Sequence, residues 1–337
     1  MSLPNSRVSV IIPCFNLGRY LPEAIASVRR QTLGGIDILV VDDGSTDPET
    51  PAALKAAAGP DLRVVRSRNR GLSAARNLGI SYTRSEYISC LDADDLFEPE
   101  WLEQGVARLD ADPGLAFVSH WLDAFGDEQG AWTPGRSDLG ALLDQNVFNG
   151  AALFRRRLVD AVGGFDESMR DGCEDWEFWI RVMEAGHRGA TVPRVLYRYR
   201  RRHDSMSQAM NATGTWFDLY GQLVDKHPDS YRAHLLDLFL RREWVIAKLC
   251  RGIDAVQEEY ATVLEPAVRE RRRELDTART RVADVRARED AAAVAARATA
   301  LDDANRDLRE RVEALQQSWS WRITAPLRRV YEWIVRP

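Results

Sequence analysis

Short apolar runs alternate with helical patterns along residues 8–91, and this alternation constrains the fold more than any other feature. The apolar runs predict strands at residues 8–12, 36–41, 62–65 and 87–91. Between them the patterns predict helices from Leu21 onward, at 48–58 and at 73–82. Strands that alternate with helices form a mostly parallel sheet that is covered by helices on both faces. The sequence therefore predicts an α/β fold.

Polar side chains follow three of these predicted strands at the point where each strand ends. Asn16 follows the first, the pair Asp42 and Asp43 follows the second, and residues 92–95 follow the fourth. In open sheets of this kind, ligands bind beyond the carboxyl ends of the strands. The candidate binding residues and the expected position of the site therefore agree.

The string Leu-Asp-Ala-Asp occurs twice, at residues 91–94 and at 109–112. Carboxylates with this spacing at a strand end can hold a divalent cation, which would in turn neutralise a diphosphate. The second copy follows a helical pattern and runs into Pro113-Gly114, which predicts a helix end and a turn. We therefore assign the candidate metal site to Asp92 and Asp94 of the first copy.

A second acidic loop follows the strand at residues 36–41. Asp47 precedes Pro48 and is predicted to cap the next helix. A turn does not require the pair Asp42 and Asp43, whose like charges repel unless a donor-rich ligand or the fold satisfies them. The pair is therefore a second candidate for ligand binding.

Composition excludes several classes of protein. The chain has 337 residues and a formal net charge of −5, which argues against general nucleic-acid binding. Its four cysteines are far apart and lack metal-site spacing, which indicates reduced thiols. The first apolar run is stopped by Pro13, and no run approaches the ~20 apolar residues of a membrane span. We expect a cytoplasmic protein, or one at the cytoplasmic face of a membrane.

The pattern changes after residue 113. Strands are predicted at residues 117–121, 151–154 and 196–199, and a helix at 176–184, while almost everything from Thr215 onward is predicted to be helical. Residues 263–317 repeat apolar residues at heptad spacing with one phase slip, which indicates a coiled coil with a stutter. A single solvated helix is the alternative. A coiled coil would make the protein a homo-oligomer.

The last twenty residues combine tryptophan, tyrosine and arginine. Residues 318–337 contain Trp319, Trp321, Tyr331 and Trp333 among four arginines, and the region 327–334 has one apolar face. This composition is typical of an amphipathic segment at a lipid headgroup interface. A tail that docks on the folded domain is the alternative interpretation.

Five ordered motifs together resemble the family 2 glycosyltransferases, which have the Rossmann-like GT-A fold and transfer sugars with inversion. The motifs are VSVIIPCFN at 8–16, VDDGSTD at 41–47, RNRGLSAARNLG at 68–79, LDADD at 91–95 and CEDWEFW at 173–179. The resemblance covers residues 8–205 and implies a GT-A domain at 1–212, with a donor half at 8–95 and an acceptor half at 113–207. A helical region at 213–262 would then precede the coiled coil.

The resemblance implies which residues contact the nucleotide-sugar donor. Asp43 would recognise the pyrimidine edge of a uridine or thymidine diphosphate, with Asp42 near the ribose. Pro13 and Asn16 would shape the wall of that pocket, and Arg76 would face the phosphates.

The resemblance also implies a metal site and a base. Asp94 would ligate Mg²⁺ or Mn²⁺, and Asp92 would contact the ribose or a metal-bound water. Asp175 would take the proton from the acceptor hydroxyl, although an acid in a first helical turn is also favourable by itself. His203 would either approach the metal and the diphosphate or lie in solvent.

Two other function classes compete with this hypothesis. A coiled-coil scaffold in a polysaccharide-assembly complex would need a binding domain but not both a metal ligand and a base. A dinucleotide-dependent enzyme would need a glycine-rich turn after the first strand, where Pro13-Cys14-Phe15-Asn16 stands instead. We therefore predict a glycosyltransferase that acts on a glycan acceptor, which the tail would make lipid-linked.

Overall fold

A computed structural model describes residues 6–206, 208, 210, 214–259, 262, 265–286, 301–311, 313 and 314. The chain divides into two compact units, Met1–Leu238 and Phe239–Pro337. The first unit extends beyond the boundary at residue 212 that the sequence predicts. The reason is packing, because Leu219, Leu223 and Tyr231 are buried in the same core as the sheet and its helices.

Nine strands form one mixed sheet in the described part of the chain. They are β1 (Val8–Cys14), β2 (Asp37–Asp42), β3 (Leu62–Arg66), β4 (Tyr87–Cys90), β5 (Leu96–Phe97), β6 (Leu115–Gly126), β7 (Gly130–Trp132), β8 (Leu153–Arg155) and β9 (Arg188–Arg201). Their order is β3-β2-β1-β4-β8-β6-β9-β5, and β7 pairs with β6. The strands β1 to β4 pair in parallel, whereas β8 is antiparallel to both β4 and β6. The prediction of an α/β fold is confirmed.

The helices of the first unit follow the strands closely. They are α1 (Leu21–Arg29), α2 (Glu49–Ala57), α3 (Leu72–Ser81), α4 (Trp101–Ala111), α5 (Leu139–Asp144), α6 (Arg157–Val162), α7 (Glu174–Glu184) and α8 (Thr215–Lys226). The long helix α9 (Pro228–Glu259) begins in this unit. The prediction that the second Leu-Asp-Ala-Asp string ends a helix is confirmed, since α4 ends at Ala111.

The sheet is buried on both faces, as the continuous apolar strands require. Along β1 the side chains alternate, so that Ile11 belongs to the core cluster on one face while Val10 and Ile12 belong to the cluster on the other. On the first face α7 buries Trp176 and Trp179, which are 1% and 0% exposed. Truncating one large buried aromatic side chain typically costs ~3–5 kcal/mol. This face therefore holds α7 firmly against the sheet.

The second unit contains the rest of α9, the helix α10 (Glu265–Arg286) and a helical segment at 301–311. Leu275, one of the predicted heptad positions, is 7% exposed. The coiled coil at 263–317 stays a prediction, because most of the segment between Val282 and Val294, where the heptad phase slips, lies outside the described residues, as does the tail at 318–337. Among the described residues, every helix is too short or too polar to cross a membrane.

Candidate functional site

A cavity of about 920 Å³ opens at the carboxyl ends of β1, β2 and β4. Side chains from both halves of the first unit line it, which is the position that the polar strand ends predict. The lining includes Pro13, Phe15, Asp43, Asn69, Arg76, Asp92, Asp94, Asp95, Trp132, Asn146, Phe148, Asp175, Tyr197, Arg200 and Arg202. The structure therefore brings Pro13, Asp43, Arg76, Asp92, Asp94 and Asp175 together in one cavity.

The carboxylate of Asp43 is fixed in this cavity by donors from the loop before α3. Its Oδ1 accepts a hydrogen bond from the Ser67 hydroxyl at 2.7 Å, and its Oδ2 accepts one from the backbone N–H of Gly71 at 2.8 Å. The backbone N–H of Arg70 lies 3.1 and 3.0 Å from the two oxygens. These donors compensate the charge of a carboxylate that is only 3% exposed, and they fix the direction in which its oxygens can accept further hydrogen bonds.

Asp42 and Asn16 hold the loops around the cavity instead of lining it. The buried carboxylate of Asp42 accepts a hydrogen bond from the backbone N–H of Ser45 at 2.9 Å. Asn16 has a positive φ of 55°, and its side-chain oxygen accepts hydrogen bonds from the backbone N–H groups of Thr46 and Asp47. The structure thus gives both residues partners within the β1 and β2 loops, and neither belongs to the cavity lining.

Phe15 is a lining residue that the sequence reasoning did not single out. Its side chain is 41% exposed at the end of β1, although large apolar side chains nearby are buried. The sequence feature that could have identified Phe15 was its position between Pro13 and Asn16 at a strand end. A partly exposed aromatic ring in the lining of the cavity that also contains Asp43 is suited to stacking on a flat ring of a ligand.

Three acidic residues after β4, Asp92, Asp94 and Asp95, share the floor of the cavity. Asp94 accepts a hydrogen bond from Nε of Arg202 at 2.8 Å, and both side chains are 13% exposed. Burial, followed by the charge of Asp92, raises the pKa of Asp94 above its usual range. Asp95 is fully enclosed between the Tyr197 hydroxyl and the backbone N–H of Arg200, and burial raises its pKa strongly. The negative charge here is therefore incompletely compensated.

This incomplete compensation fits a divalent cation held together with a phosphate-bearing ligand. Among the described residues, no group of three or more His, Cys, Asp or Glu side chains forms a complete cage for a metal ion. Mg²⁺ is commonly bound by one or two carboxylates, substrate phosphates and water. Asp94 and Asp92 are the two carboxylates that could hold a cation in this way.

His203 lies apart from these carboxylates. Its side chain is 89% exposed, with Nε2 3.5 Å from Asp127. Its backbone N–H also donates to Asp127, at 2.9 Å. This position agrees with the alternative interpretation from the sequence, in which His203 lies in solvent. From the same segment, Arg202 lines the cavity.

Asp175 lies in the first turn of α7, which a tight turn positions. Gly172 and Cys173 both have positive φ values, 127° and 60°, and a non-glycine residue in this conformation is uncommon. The Oδ1 atom of Asp175 accepts hydrogen bonds from its neighbouring Trp176 N–H at 2.7 Å and from Asn146 at 3.2 Å. Burial and the nearby charge of Glu174 raise the pKa of Asp175 to about 7. A carboxylate with this pKa can accept a proton near neutral pH.

Arg76 does not lie where a free phosphate-binding arginine would. It is 2% exposed, and its guanidinium donates to Glu174 at 2.5 Å and to Asp92 at 2.8 Å. The expectation that Arg76 faces the phosphates has no support in these contacts, because Nη1 and Nη2 each have a carboxylate partner. Arg76 instead joins the two acidic segments of the cavity.

The fold and the cavity define an α/β protein with an acidic cavity at the carboxyl edge of its sheet, and comparison with known proteins identifies the family of the residues that form most of it. Residues 9–164 match the model of glycosyl transferase family 2. The chain is 28% identical over 210 residues to the putative glycosyltransferase EpsE of Bacillus subtilis, which covers 60% of this chain and 76% of EpsE. It is 30% identical over 222 residues to the succinoglycan biosynthesis protein ExoO of Rhizobium meliloti, covering 60% of this chain and 63% of ExoO.

A third relative, the uncharacterized protein y4gI of Sinorhizobium fredii, is 32% identical over 202 residues, which cover 57% of this chain but only 22% of that protein. A mannosyltransferase of Pyrobaculum calidifontis, solved in complex with GDP-Man and Mn²⁺, has the same fold with a TM-score of 0.54 and 23% identity, over 76% of this chain and 78% of that chain. Residues 9–164 therefore belong to the family 2 glycosyltransferases, and this part of the chain has a GT-A fold.

Proposed function

We propose that this protein transfers a sugar from a uridine or thymidine diphosphate donor to a hydroxyl group of a glycan acceptor, with inversion at the anomeric carbon. One observation carries the proposal: a single cavity contains Asp43, the pair Asp92 and Asp94, and Asp175, whose pKa is about 7. These residues supply an acceptor for a base, carboxylates for a cation and a proton acceptor. Together they would bind the donor base, neutralise the donor diphosphate and take the proton of the acceptor hydroxyl.

The donor nucleotide would bind at the end of β1 and β2. The exposed ring of Phe15 offers a stacking surface, and Asp43 is held as an acceptor by the backbone N–H groups before α3. Uracil and thymine both present an N3–H that such a carboxylate can accept. Base stacking on an aromatic side chain is worth ~1–3 kcal/mol.

The donor diphosphate would lie over the floor of the cavity. A cation on Asp94 and Asp92 would neutralise the diphosphate and stabilise it as it leaves. Arg202, which pairs with Asp94, places a positive charge at the same point. Asp95 would connect this floor to β9, because it accepts hydrogen bonds from the Tyr197 hydroxyl and the backbone N–H of Arg200.

Asp175 would act as the general base in a single displacement. The acceptor hydroxyl gives its proton to the Asp175 carboxylate while its oxygen forms a bond to the anomeric carbon. The bond from that carbon to the diphosphate oxygen breaks, and the nucleoside diphosphate leaves with the electron pair. Because the attack and the departure occur on opposite faces, the configuration inverts.

The decisive experiment compares Asp175→Asn with Asp171→Asn, an exposed acid four positions earlier in the same segment. We expect Asp175→Asn to bind donor normally but to lose transfer by ~10²-fold or more, which is the usual contribution of a general base. Asp171→Asn should retain the wild-type rate. A near wild-type rate for Asp175→Asn would refute the base assignment.

Binding of GDP without binding of UDP or dTDP would refute the proposed donor class.

The acceptor would be a lipid-linked glycan at the cytoplasmic face of the membrane. The relative ExoO belongs by name to succinoglycan biosynthesis, and the sequence of residues 318–337 combines tryptophan with arginine. Each basic residue near an anionic surface contributes ~1 kcal/mol of attraction. Deleting 318–337 should abolish flotation with anionic liposomes and leave transfer to a soluble acceptor intact. Unchanged flotation would contradict this part of the proposal.

A further inference from the structure

Arg76 is a fully buried cation between segments that are far apart in the sequence. It lies on α3 and is 2% exposed. Its Nη2 donates to Oδ1 of Asp92, in the loop after β4, at 2.8 Å. Its Nη1 donates to Oε1 of Glu174, in the first turn of α7, at 2.5 Å. One planar group therefore connects the candidate donor carboxylates to the residue that precedes Asp175.

The surroundings of the guanidinium leave it little freedom to move. The ring of Phe165 lies 5.2 Å from its Cζ atom. At Gly150, a Cβ atom would lie only 2.9 Å from Nη2 and 3.2 Å from Cζ, so the guanidinium packs directly against backbone there. An arginine held on several sides presents its donors in a fixed fork, which an ammonium group cannot reproduce.

We propose that Arg76 is a positioning residue that holds Asp92 on one nitrogen and Glu174 on the other, and so fixes Asp175 relative to the donor carboxylates. This inference rests on the proposed function, because it assigns Arg76 a role toward the base of that reaction. Displacing reacting groups by ~1 Å can cost ~10²-fold in rate. A clamp of this kind affects the chemical step more than it affects donor affinity.

The clamp also sets the charge around Asp175. Glu174 on the same helix and Asp92 from the loop after β4 both oppose ionisation of Asp175, whereas Arg76 from α3 favours it. Asn146, which follows α5, contacts the carboxylate as a neutral donor, and the Cys173 thiol before α7 has a pKa raised to about 12 and is neutral. Removing the charge of Arg76 should therefore raise the pKa of Asp175, and removing that of Glu174 should lower it.

The test compares Arg76→Met and Arg76→Lys with the same two changes at Arg155. Arg155 is also buried, at 8% exposed, and donates to the backbone oxygens of Leu109 and Leu115. It lies outside the lining of the cavity. Its substitution should therefore reproduce the loss of a buried arginine without any effect on the base.

For Arg76→Met we expect kcat to fall by about 10²-fold, with the KM for donor within about threefold, because the geometry of the base is lost. The acid limb of the pH–rate profile should move to higher pH. Arg76→Lys, which keeps the charge, should restore the position of the acid limb and part of kcat. Both Arg155 variants should keep the wild-type profile, with changes limited to thermal stability.

Glu174→Gln provides an independent test if Arg76→Met does not fold. Because it removes a negative charge beside Asp175, its acid limb should move to lower pH. An unchanged limb or a shift to higher pH would overturn the proposal, as would a higher donor KM with unchanged kcat in Arg76→Met. Failure of the proposed function would be distinct from these outcomes, because it would appear as absence of transfer by the wild-type protein with every donor.

Discussion

The two copies of Leu-Asp-Ala-Asp have the same residues but different surroundings. In the first copy, Asp94 follows β4, lies on the floor of the cavity and is 13% exposed. In the second copy, Asp110 lies on the last turn of α4, is 42% exposed and pairs with Arg7 at 2.7 Å. Four identical residues therefore form a pocket floor in one place and a helix end in the other.

The pKa of Asp94, the second acid of the first copy, and that of Asp110, the first acid of the second copy, move in opposite directions. Burial and the charge of Asp92 raise the pKa of Asp94. Hydrogen bonds from Arg7 and Tyr87 lower the pKa of Asp110. A carboxylate that the protein leaves under-compensated is a candidate for function, whereas one that surface partners satisfy is a structural ion pair. The comparison shows that the element before the string decides its role.

The largest expected effect separates the two copies in donor binding. Asp94→Ala should abolish cation-dependent binding of the nucleotide-sugar, since a metal ligand contributes several kcal/mol to stabilising the diphosphate. Asp112→Ala should bind donor like the wild type, because Asp112 only caps the turn through the Gly114 N–H and faces Arg188. Titration calorimetry with Mn²⁺ measures both. Equal losses in the two variants would remove the distinction between the copies.

A smaller expected effect is on the pH dependence of the transfer rate, and here Asp175 is compared with Asp110 of the second copy. Its pKa of about 7 means that the base is protonated, and inactive, in acid. The rate at saturating substrate should therefore fall about tenfold for each pH unit well below 7 and level off above it. The Asp110→Asn variant should keep this profile. A flat profile between pH 5 and 8 in wild type would show that Asp175 is not the titrating base.

The smallest effect concerns stability, with opposite signs for the two copies. Because the pKa of Asp94 is raised in the folded state, ionisation of this carboxylate destabilises the fold as the pH rises above the pKa of the unfolded state. Asp94→Asn cannot ionise and should therefore stabilise the cation-free protein at pH 7 to 8. The lowered pKa of Asp110 contributes stability that is lost in acid, so Asp110→Asn should destabilise at neutral pH, by less than about 1 kcal/mol for an exposed pair. Urea unfolding without metal compares them. The same sign for both variants would contradict the argument.

Much of the donor half was predictable because its signals are local. The four parallel strands, the helices between them and the helical end of the second string all follow from apolar periodicity and turn residues. The role of Asp47 beside the α2 terminus was also predictable, since its carboxylate accepts from the Thr50 N–H three positions later at 2.7 Å. Such contacts depend on spacing along the chain.

The positions of several site residues were not predictable in this way. Adjacent aspartates diverge, with Asp43 lining the cavity and Asp42 bonding within its own loop. His203 points to Asp127 and solvent, while Arg202 beside it reaches Asp94. The direction of a loop side chain depends on what packs around it, and the partners here come from distant strands.

The sequence by itself determined the parallel donor sheet and the presence of acidic groups at its carboxyl edge. The reason is that apolar periodicity and the end of a strand both depend on residues that are neighbours along the chain. Only the tertiary structure decided how those acids are charged and held. Arg76 meets Asp92 and Glu174 across sequence separations of 16 and 98 residues, and Arg202 meets Asp94 across 108. Burial then removes the water that would otherwise screen these charges, so the assembled fold and not the local string sets the chemistry of each carboxylate.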